Sequence, residues 1–477
     1  MLVYGGSVST SVPVTPVTTT SLAAIRDRGV PVPTYDRSRL HPRIAHVGVG
    51  GFHRSHMALY VHELAESGSE WGIRGVGLLP GDERMRDALL AQDFMYTLTE
   101  KSNGSHEPQV IGSIIDYVLS ADDQAAFDTV LADDETAILS LTITESGYAA
   151  PTSGASCTLD AIAAALDARR NTGGGPITIL SCDNLPANGD VARGALLAAA
   201  DRRSSALHAW ISTNCTFPNS MVDRITPVTA EADHQWLLDN VGIDDRWPVV
   251  AEPFRQWVIQ DQFAAGRPAW EHAGALFTDD VHAWELYKLR FLNAGHSCMA
   301  YLCSLAGITY VDEGVNNPVV HGYLSRLLYD EALPTLTPIA GHPREDYIRV
   351  VLERFANTAV RDQIARLCID GTAKFPTFLI PTIVRQLELG GPIDRATLAL
   401  AGWARYLALT PRDQQAFDAA GERPHQLAVA ALADPLAFLE LSEVFPLSLH
   451  DNARFRDTFA KSIHLLDEQG PLRAMMG

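Results

Sequence analysis

Short apolar runs alternate with longer helical stretches over the first half of the chain. The runs end in turn or polar residues, and the stretches between them are rich in Ala and Leu. Strands that alternate with helices in this way are typical of crossover units and a largely parallel sheet. The predicted strands are Arg43–Val47, Ile73–Leu79, Ala137–Thr144, Ile177–Cys182, Ala209–Cys215 and Trp247–Ala251, and the predicted helices are His56–Ser67, Glu83–Ala91, Leu159–Arg170 and Val191–Arg202.

The pattern changes near Val281, where the strand signal fades. We therefore predict an α/β domain over residues 21–280 and a mainly α-helical domain over residues 281–477. Residues 1–20 are rich in Ser, Thr, Val and Pro without a helical period, so they are predicted to form a poorly ordered leader. The helices predicted after Val281 are Ala283–Ala306, Val319–Leu333, His342–Ala356, Arg361–Leu367, Pro376–Leu389 and Thr397–Leu409.

Composition narrows the class of protein. The 477 residues are 47% hydrophobic and carry a net charge of −20, which argues against binding to nucleic acid or to anionic membranes. The longest apolar stretch, Leu398–Leu409, contains Arg405 and is too short to span a bilayer. Scattered cysteines without a CxxC pair predict reduced thiols and a cytoplasmic location. The six cysteines are Cys157, Cys182, Cys215, Cys298, Cys303 and Cys368.

A glycine-rich loop follows the first predicted strand, with the sequence GVGGFHRSH at positions 48–56. Glycines at this place allow the backbone to approach a pyrophosphate at a helix N-terminus, which predicts dinucleotide binding and a Rossmann-type fold. His53 stands where the third glycine of the usual fingerprint would be, and the spacing alone also fits an ordinary strand-to-helix turn. The candidate cofactor-binding residues of the loop are Gly48, Gly50, Gly51, Phe52, His53 and Arg54.

Asp82 follows the second predicted strand, where an acidic residue can bind the adenine ribose and favour NAD over NADP. An equally good interpretation is that Asp82 caps the helix that begins at Glu83. The nearby Arg84 and Arg86 reduce any exclusion of a 2′-phosphate. Both interpretations of Asp82 stay open.

Lys288, Asn293 and His296 lie on the first long helix predicted in the second domain. On an α-helix they fall within an arc of roughly 140°, on one flank of an otherwise apolar segment. A solvated helix face is one interpretation. The other is hydride transfer from an alcohol, because a partly buried lysine can accept the hydroxyl proton while an amide stabilises the developing charge. The sequence offers no convincing set of zinc ligands.

Asn184 belongs to a second polar stretch, SCDNLPANG at 181–189, which follows a predicted strand. Active sites of open α/β sheets lie at the carboxyl ends of strands, so Asn184 is a candidate to join Asn293 at a substrate oxygen. A turn built from Asp, Asn and Gly would use the same residues.

Taken together, these three segments resemble the polyol-specific long-chain dehydrogenases, most closely the mannitol 2-dehydrogenase branch. The resemblance runs from about Val30 to the C-terminus. It implies a Rossmann-type N-terminal domain, a helical C-terminal domain, NAD as cofactor, and a monomer or weak homo-oligomer. The implied reaction is the metal-independent interconversion of mannitol and fructose.

The resemblance also implies roles for individual residues. Lys288 would be the general base, Asn184 and Asn293 an oxyanion hole, and His296 an orienting group for substrate. Glu285, one turn before the lysine, would relay the released proton to water. The implied substrate-binding residues are Asp223 in VDRITP and Arg366 and Lys374 in ARLCIDGTAKFP.

The shared motifs leave the substrate open. The element TESGY at 144–148 carries serine at a variable position of the family pattern and does not separate its branches. One alternative is a hexuronate reductase acting on fructuronate or tagaturonate, with a basic pocket that holds the substrate carboxylate. Arg366 and Lys374 suit either branch, since they can bind hydroxyls as well as anions. Arabinitol and sorbitol dehydrogenases are further alternatives. A non-catalytic sensor of dinucleotide and sugar is a more distant one, because a pure binder needs no proton acceptor.

Overall fold

A computed structural model describes residues 14–120, 123–149 and 158–477. The chain divides into two compact units, which meet in sequence between Val281 and His282. The first unit is an α/β structure and the second is almost entirely helical. The predicted fold class, a Rossmann-type domain followed by a helical domain, is therefore confirmed.

A six-stranded parallel sheet forms the centre of the first unit. In chain order we label its strands β1 (His41–Val47), β2 (Trp71–Gly77), β3 (Ile114–Leu119), β4 (Ile138–Leu141), β5 (Ile177–Ser181) and β6 (Cys215–Thr216). Their spatial order is β3-β2-β1-β4-β5-β6. The order reverses between β1 and β4, and dinucleotides bind at the carboxyl ends of the strands beside such a reversal.

Helices cover the sheet and bury its central strands. Every residue of β4 and β5 is buried, which is typical of parallel strands packed on both faces. The four predicted helices are present. The helices of this unit are Leu22–Arg26, Gly51–Ser55, Met57–Glu66, Glu83–Leu90, Gln124–Ala132, Thr144–Gly147, Thr158–Asn171, Asn188–Arg203, Ser205–Asn214 and Glu231–Val241.

Smaller sheets flank the central one. The hairpin Tyr96–Ser102/Ser105–Ile111 pairs with Val249–Ala251, and Ser220–Asp223 pairs with Gln256–Ile259, which also pairs with Leu276–Phe277. Of these strands only the one ending at Ala251 was predicted.

One predicted strand, Ala209–Cys215, is wrong over most of its length. Residues Ser205–Asn214 form a helix, and only Cys215–Thr216 joins the sheet. The Ser204 side chain caps this helix by accepting a hydrogen bond from the Leu207 amide at 3.1 Å. The cap and the burial of Leu207 and Ile211 stabilise the helix. They outweigh the preference of Trp210 and Ile211 for strands.

The predicted disordered leader differs from the structure in its last residues. Thr15–Pro16 forms a short strand parallel to Ile243–Asp244, and Val17 is buried. Residues 19–21 continue into the helix Leu22–Arg26. A few apolar contacts and backbone hydrogen bonds hold this segment, which composition alone does not reveal. Residues 1–13 lie outside the described residues.

The second unit is a bundle around the helix Asp394–Leu409. This helix is buried on all sides from Ala396 to Leu407, and its Arg405 forms a two-fold ion pair with Asp467 at 2.7 and 2.6 Å. Two π-helical turns, Lys288–Asn293 and Leu327–Ala332, interrupt the α-helices. The α-helices are Val281–Tyr287, Ala294–Leu305, Val311–Val315, Pro318–Arg326, Arg344–Phe355, Ile364–Leu367, Gly371–Phe378, Ile380–Leu389, Asp394–Leu409, Arg423–Ala430, Leu447–His450, Ala453–Gln469 and Pro471–Ala474.

The cysteines that the structure describes are buried free thiols. Burial raises the pKa of each of them, so they stay protonated and unreactive. They are Cys182, Cys215, Cys298, Cys303 and Cys368. Cys157 lies outside the described residues.

Within the described ranges, no helix combines the length and the apolar character that crossing a lipid bilayer requires.

Candidate functional site

Gly48 makes the turn at the end of β1, and only glycine fits there. Its φ of +93° lies in the left-handed region, and a Cβ atom would stand 2.1 Å from the carbonyl oxygen of Thr142. Thr142 follows β4, the neighbour of β1 across the reversal of strand order. The turn therefore places the loop directly at the point where a dinucleotide is expected.

Gly50 and Gly51 stand at the start of the helix Gly51–Ser55, where they place no side chain. A Cβ at Gly50 would meet nothing closer than the Gly48 oxygen at 3.8 Å, and one at Gly51 would only touch a Thr226 methyl at 3.6 Å. Phe52 is half-buried and stacks on His56, with ring centroids 5.0 Å apart. The positions that Cβ atoms would occupy at these two glycines are thus uncrowded, which leaves room for a pyrophosphate close to the backbone at the helix start.

His53 and Arg54 do not present their side chains to a ligand. Each is 1% exposed. The Arg54 guanidinium donates a hydrogen bond to the Trp247 carbonyl at 2.5 Å, and the His53 ring packs face to face on His46. Their side chains therefore pack beneath the loop, and a role of these two residues in cofactor binding stays a prediction.

Asp82 closes the turn after β2. One of its carboxylate oxygens, Oδ2, accepts hydrogen bonds from the amides of Leu78 and Leu79 at 2.9 and 3.0 Å. The side chain makes no capping hydrogen bond to the helix that begins at Glu83. The interpretation that the Asp82 side chain caps this helix is therefore wrong, because its carboxylate accepts hydrogen bonds from the amides of the preceding turn.

Asp183 joins the two polar segments that follow β4 and β5. Its carboxylate accepts hydrogen bonds from the amides of Ile143 and Thr144 at 3.1 and 2.8 Å and from the Tyr148 hydroxyl at 2.6 Å. Burial raises the pKa of Asp183, although these three donors act against the shift. Asp183 thus ties the segments TESGY and SCDNLPANG into one polar cluster at the carboxyl edge of the sheet.

Asn184 and Asn188 belong to this polar cluster but differ in their exposure to solvent. Asn184 is exposed, whereas Asn188 is fully buried and ties the loop to Ser220 and to the carbonyls of Ser181 and Asp183. A buried amide that bonds in this way fixes the backbone on which Asn184 stands. Asp223, on the strand Ser220–Asp223, is 3% exposed.

In the second unit, Lys288 and Asn293 are the first and last residues of a π-helical turn. Both are 9% exposed, and His296, in the helix that follows, is 8% exposed. The turn packs against the helix Gly371–Phe378, where Arg290 donates hydrogen bonds to the carbonyls of Thr377 and Phe378. The three polar residues are therefore enclosed and do not form a solvated helix face.

His296 and Glu285 flank the turn on its two sides. The His296 ring stacks on Phe355, with centroids 3.9 Å apart and planes 17° apart, which fixes its orientation. Glu285 is 5% exposed, and its Oε2 lies 3.4 Å from Nδ1 of the more exposed His282. The Glu285 carboxylate thus contacts a histidine at the surface, and its role as a proton relay stays a prediction.

Lys374 and Arg366 lie on helices that contact this part of the unit. Lys374 is half-buried and donates a hydrogen bond to the Leu367 carbonyl at 3.1 Å. Arg366 is exposed and forms a two-fold ion pair with Asp362. The helix of Lys374 packs on the π-helical turn, and that of Arg366 packs on the helix Ala294–Leu305.

Sequence reasoning missed several residues that shape the site. Asp183 and Tyr148 lie inside the two quoted motifs, but nothing in the sequence indicated that they bond to each other. His46, the last residue but one of β1, belongs to no motif and so carried no local signal. Within the described residues, no group of three or more His, Cys, Asp and Glu side chains is arranged to hold a metal ion.

Comparison with known proteins fits this architecture. The chain matches the model of the mannitol dehydrogenase Rossmann domain over residues 42–272 and that of the mannitol dehydrogenase C-terminal domain over residues 280–467. It is 40% identical to a mannitol 2-dehydrogenase of Phaeosphaeria nodorum (93% of this chain, 82% of that one) and 38% identical to a mannitol dehydrogenase of Saccharomyces cerevisiae (94% of each).

Two solved structures are similar along nearly the whole chain. One is Pseudomonas fluorescens mannitol 2-dehydrogenase in ternary complex with NAD and D-mannitol, at 38% identity and a TM-score of 0.85, covering 97% of this chain and 99% of that one. The other is a D-sorbitol dehydrogenase in substrate-free form, at 34% identity and a TM-score of 0.85, covering 94% and 97%. The chain therefore belongs to the mannitol dehydrogenase family.

Proposed function

We propose that this protein is an NAD-dependent polyol dehydrogenase that oxidises D-mannitol to fructose and catalyses the reverse reduction. One observation carries the proposal. A chain that aligns over 97% of its length with an enzyme solved with NAD and D-mannitol holds Lys288 and Asn293 enclosed at the ends of one π-helical turn. A lysine placed in this way fits a proton acceptor better than a surface charge.

The first unit is proposed to bind NAD through the backbone of its glycine loop. The turn at Gly48 and the open helix start at Gly50 and Gly51 fit a pyrophosphate, with Phe52 beside them. His53 and Arg54 contribute by holding the loop. Asp82 has Oδ2 engaged with the turn, and its negative charge disfavours a 2′-phosphate, which supports a preference for NAD.

NAD⁺, when bound by the glycine loop, would supply the acceptor for the hydride that leaves the carbinol carbon. Lys288 takes the proton of the same hydroxyl group, so the products are fructose, NADH and one proton. Asn184 and Asn293 are proposed as amide donors to the substrate oxygen as its negative charge develops, and His296 as the group that orients substrate. In the reduction of fructose, protonated Lys288 returns the proton.

Glu285 is proposed to pass the proton from Lys288 toward solvent. Its contact with His282, whose side chain is 70% exposed, connects a buried carboxylate to the surface. Asp223 and Lys374 are proposed to bind substrate hydroxyls. Because these residues and the two amides supply the acid–base and charge-stabilising groups, the proposed mechanism uses no metal, and enzyme treated with a chelator should keep its rate.

Arg366 weakens the hexuronate alternative. Arg366 is a candidate for the basic pocket that would hold a uronate carboxylate, but the Asp362 carboxylate already accepts hydrogen bonds from its Nε and Nη2 and neutralises its charge. A neutral polyol needs no such basic pair. The likeness to a D-sorbitol dehydrogenase keeps sorbitol as the second candidate substrate.

Initial rates of NADH oxidation test the substrate directly. Fructose, fructuronate, tagaturonate, xylulose and fructose 6-phosphate are offered separately at equal concentration. The proposal predicts a clear preference for fructose, mirrored by oxidation of mannitol over sorbitol and arabinitol. A preference for a uronate would assign the protein to the hexuronate branch, and NADH binding without turnover of any substrate would favour the sensor.

A further inference from the structure

Two histidine rings stack beneath the cofactor loop. His46 lies in β1 and His53 in the helix Gly51–Ser55, and their ring centroids are 3.5 Å apart with planes 10° apart. His46 is 0% exposed and His53 is 1% exposed. The stack therefore joins the strand before the GVGG turn to the helix after it.

His46 also bonds to the turn itself. Its Nε2 lies 3.0 Å from the Thr142 hydroxyl, which donates a hydrogen bond to the Gly48 carbonyl at 2.7 Å. Since that hydroxyl proton is committed to Gly48, Nε2 must be the donor to Thr142, and Nδ1 then accepts from the Ser140 hydroxyl at 2.9 Å. The hydrogen bonds therefore run in one direction, from the Ser140 hydroxyl through His46 and Thr142 to the carbonyl of Gly48.

The His53 ring acts through its shape. Neither of its nitrogens has a hydrogen-bond partner among the described residues. Burial, together with the neighbouring His46, Arg54 and His56, holds the pKa of His53 well below its ordinary value, so the ring is neutral. In the usual fingerprint a glycine at this position lets the helix pack closely on the strand. Here a flat ring fills the same space.

We propose that His46 and His53 are positioning residues that set the height and angle of the nucleotide-binding loop. This inference rests on the proposed binding of NAD by that loop. Removing the His53 ring would let the start of the helix drop toward β1, and the amides of residues 50–52 would no longer match a pyrophosphate. The polyol site is expected to be unaffected once the cofactor is bound.

Titration of NADH fluorescence with purified protein tests the inference, using His53→Ala and His53→Phe. We expect His53→Ala to raise the Kd for NADH about tenfold, while kcat with fructose at saturating NADH stays within about threefold. His53→Phe keeps a flat ring without nitrogens and should bind NADH within about twofold of the parent. His62→Ala is the matched control. His62 is a buried histidine of the helix Met57–Glu66, bonded to the Tyr35 hydroxyl at 2.9 Å, so its loss should lower Tm without changing the Kd for NADH.

Three results would overturn the inference. In the first, folded His53→Ala binds NADH as the parent does. In the second, His53→Phe is as weak as His53→Ala, which would mean that the nitrogens themselves are needed. In the third, His62→Ala weakens NADH binding equally, which would mean that the effect is general loss of stability. A parent that binds no NADH would instead overturn the proposed function, and this inference with it.

His46→Phe keeps the test decisive if His53→Ala does not fold. It retains the stack but removes the hydrogen bonds to Ser140 and Thr142, and it should raise the Kd for NADH about fivefold with kcat nearly unchanged. An unchanged Kd in folded His46→Phe would overturn the role of His46.

Discussion

Lys288 and Asn293 stand at the two ends of a single π-helical turn. On a regular α-helix, residues five apart point roughly 140° away from each other. A π turn closes its hydrogen bond between residues i and i+5, so its two ends lie nearer to one face of the helix. The irregular turn therefore brings a lysine and an asparagine at this spacing nearer to one face of the helix, as the proposed action of both on one substrate oxygen requires.

Replacement of Lys288 by Met should remove the proton acceptor while preserving most of the side-chain volume. We expect kcat for mannitol oxidation to fall by about 10²- to 10⁴-fold, the usual contribution of a general base. The Kd for NADH should stay within about twofold, because the lysine acts on substrate. Stopped-flow measurement of NADH formation, together with NADH titration, checks both.

Lys461→Met is the control for this variant, since Lys461 is an exposed lysine of the helix Ala453–Gln469. It should leave kcat unchanged. An equal loss of NADH affinity and of rate in Lys288→Met would contradict the assigned role.

Gly48→Ala should damage the cofactor loop selectively. The added methyl group would collide with the Thr142 carbonyl at 2.1 Å, at a φ that alanine rarely adopts. We expect a loss of at least about 2 kcal/mol in the free energy of unfolding and a Kd for NADH raised more than tenfold. Urea denaturation and NADH titration measure the two effects.

Gly194→Ala provides the matched comparison. Gly194 lies inside the helix Asn188–Arg203 with no atom within 4 Å of an added Cβ. Alanine there should raise stability by about 0.5–1 kcal/mol. If Gly48→Ala behaved like Gly194→Ala, the close approach to Thr142 would not be needed for binding.

Asp82→Asn tests the negative charge of Asp82 separately from its hydrogen bonds to the turn after β2. The asparagine carbonyl can still accept from the amides of Leu78 and Leu79, so the turn should persist. Loss of the negative charge should raise the kcat/KM ratio of NADP to NAD about tenfold. Asp239→Asn, which removes an exposed carboxylate of the helix Glu231–Val241 that accepts a hydrogen bond from Gln235, should leave the ratio unchanged. Equal shifts in both variants would mean that the effect is the general charge of the surface.

Acid should destabilise the first unit through its buried histidines. Burial lowers the pKa of His46 and of His56 to about 3, and that of His53 well below its ordinary value, whereas in the unfolded chain they titrate near 6.5. Below pH 6.5 the unfolded chain therefore binds more protons, and the free energy of unfolding falls as the pH falls. Above pH 6.5 this loss is absent.

His53→Phe removes one of these groups. Between pH 7.5 and 5.5 it should lose about 1.4 kcal/mol less stability than the parent, the value for one histidine that titrates near 6.5 in the unfolded chain and stays neutral in the folded one. Urea denaturation at the two pH values measures the difference. The same loss in both proteins would show that His53 does not stay neutral in the folded chain.

Much of the fold could be predicted because its signals are local. The hydrophobic pattern predicts β1, β4, β5 and the helix Thr158–Asn171. The three glycines at positions 48, 50 and 51 predict the cofactor loop. The helix Ser205–Asn214 was misread because its apolar residues also suit a strand, and the Ser204 cap was the local signal that would have corrected it.

The rest depends on tertiary contacts. The π-helical turn at Lys288 has no distinguishing composition, and the bond between Asp183 and Tyr148 joins segments that are 35 residues apart. The pairing of Arg366 with Asp362 is an i,i+4 contact that the sequence permits but does not require. The cytoplasmic location and the oligomeric state stay predictions.

Isotope transfer tests the central claim most directly. D-mannitol carrying deuterium at C2 and C5 is incubated with NAD⁺ and the enzyme, and the nicotinamide product and the sugar are analysed by mass spectrometry. Direct hydride transfer predicts reduced cofactor with one deuterium and an equal amount of fructose. Reduced cofactor without deuterium, or no fructose despite cofactor binding, would contradict the account.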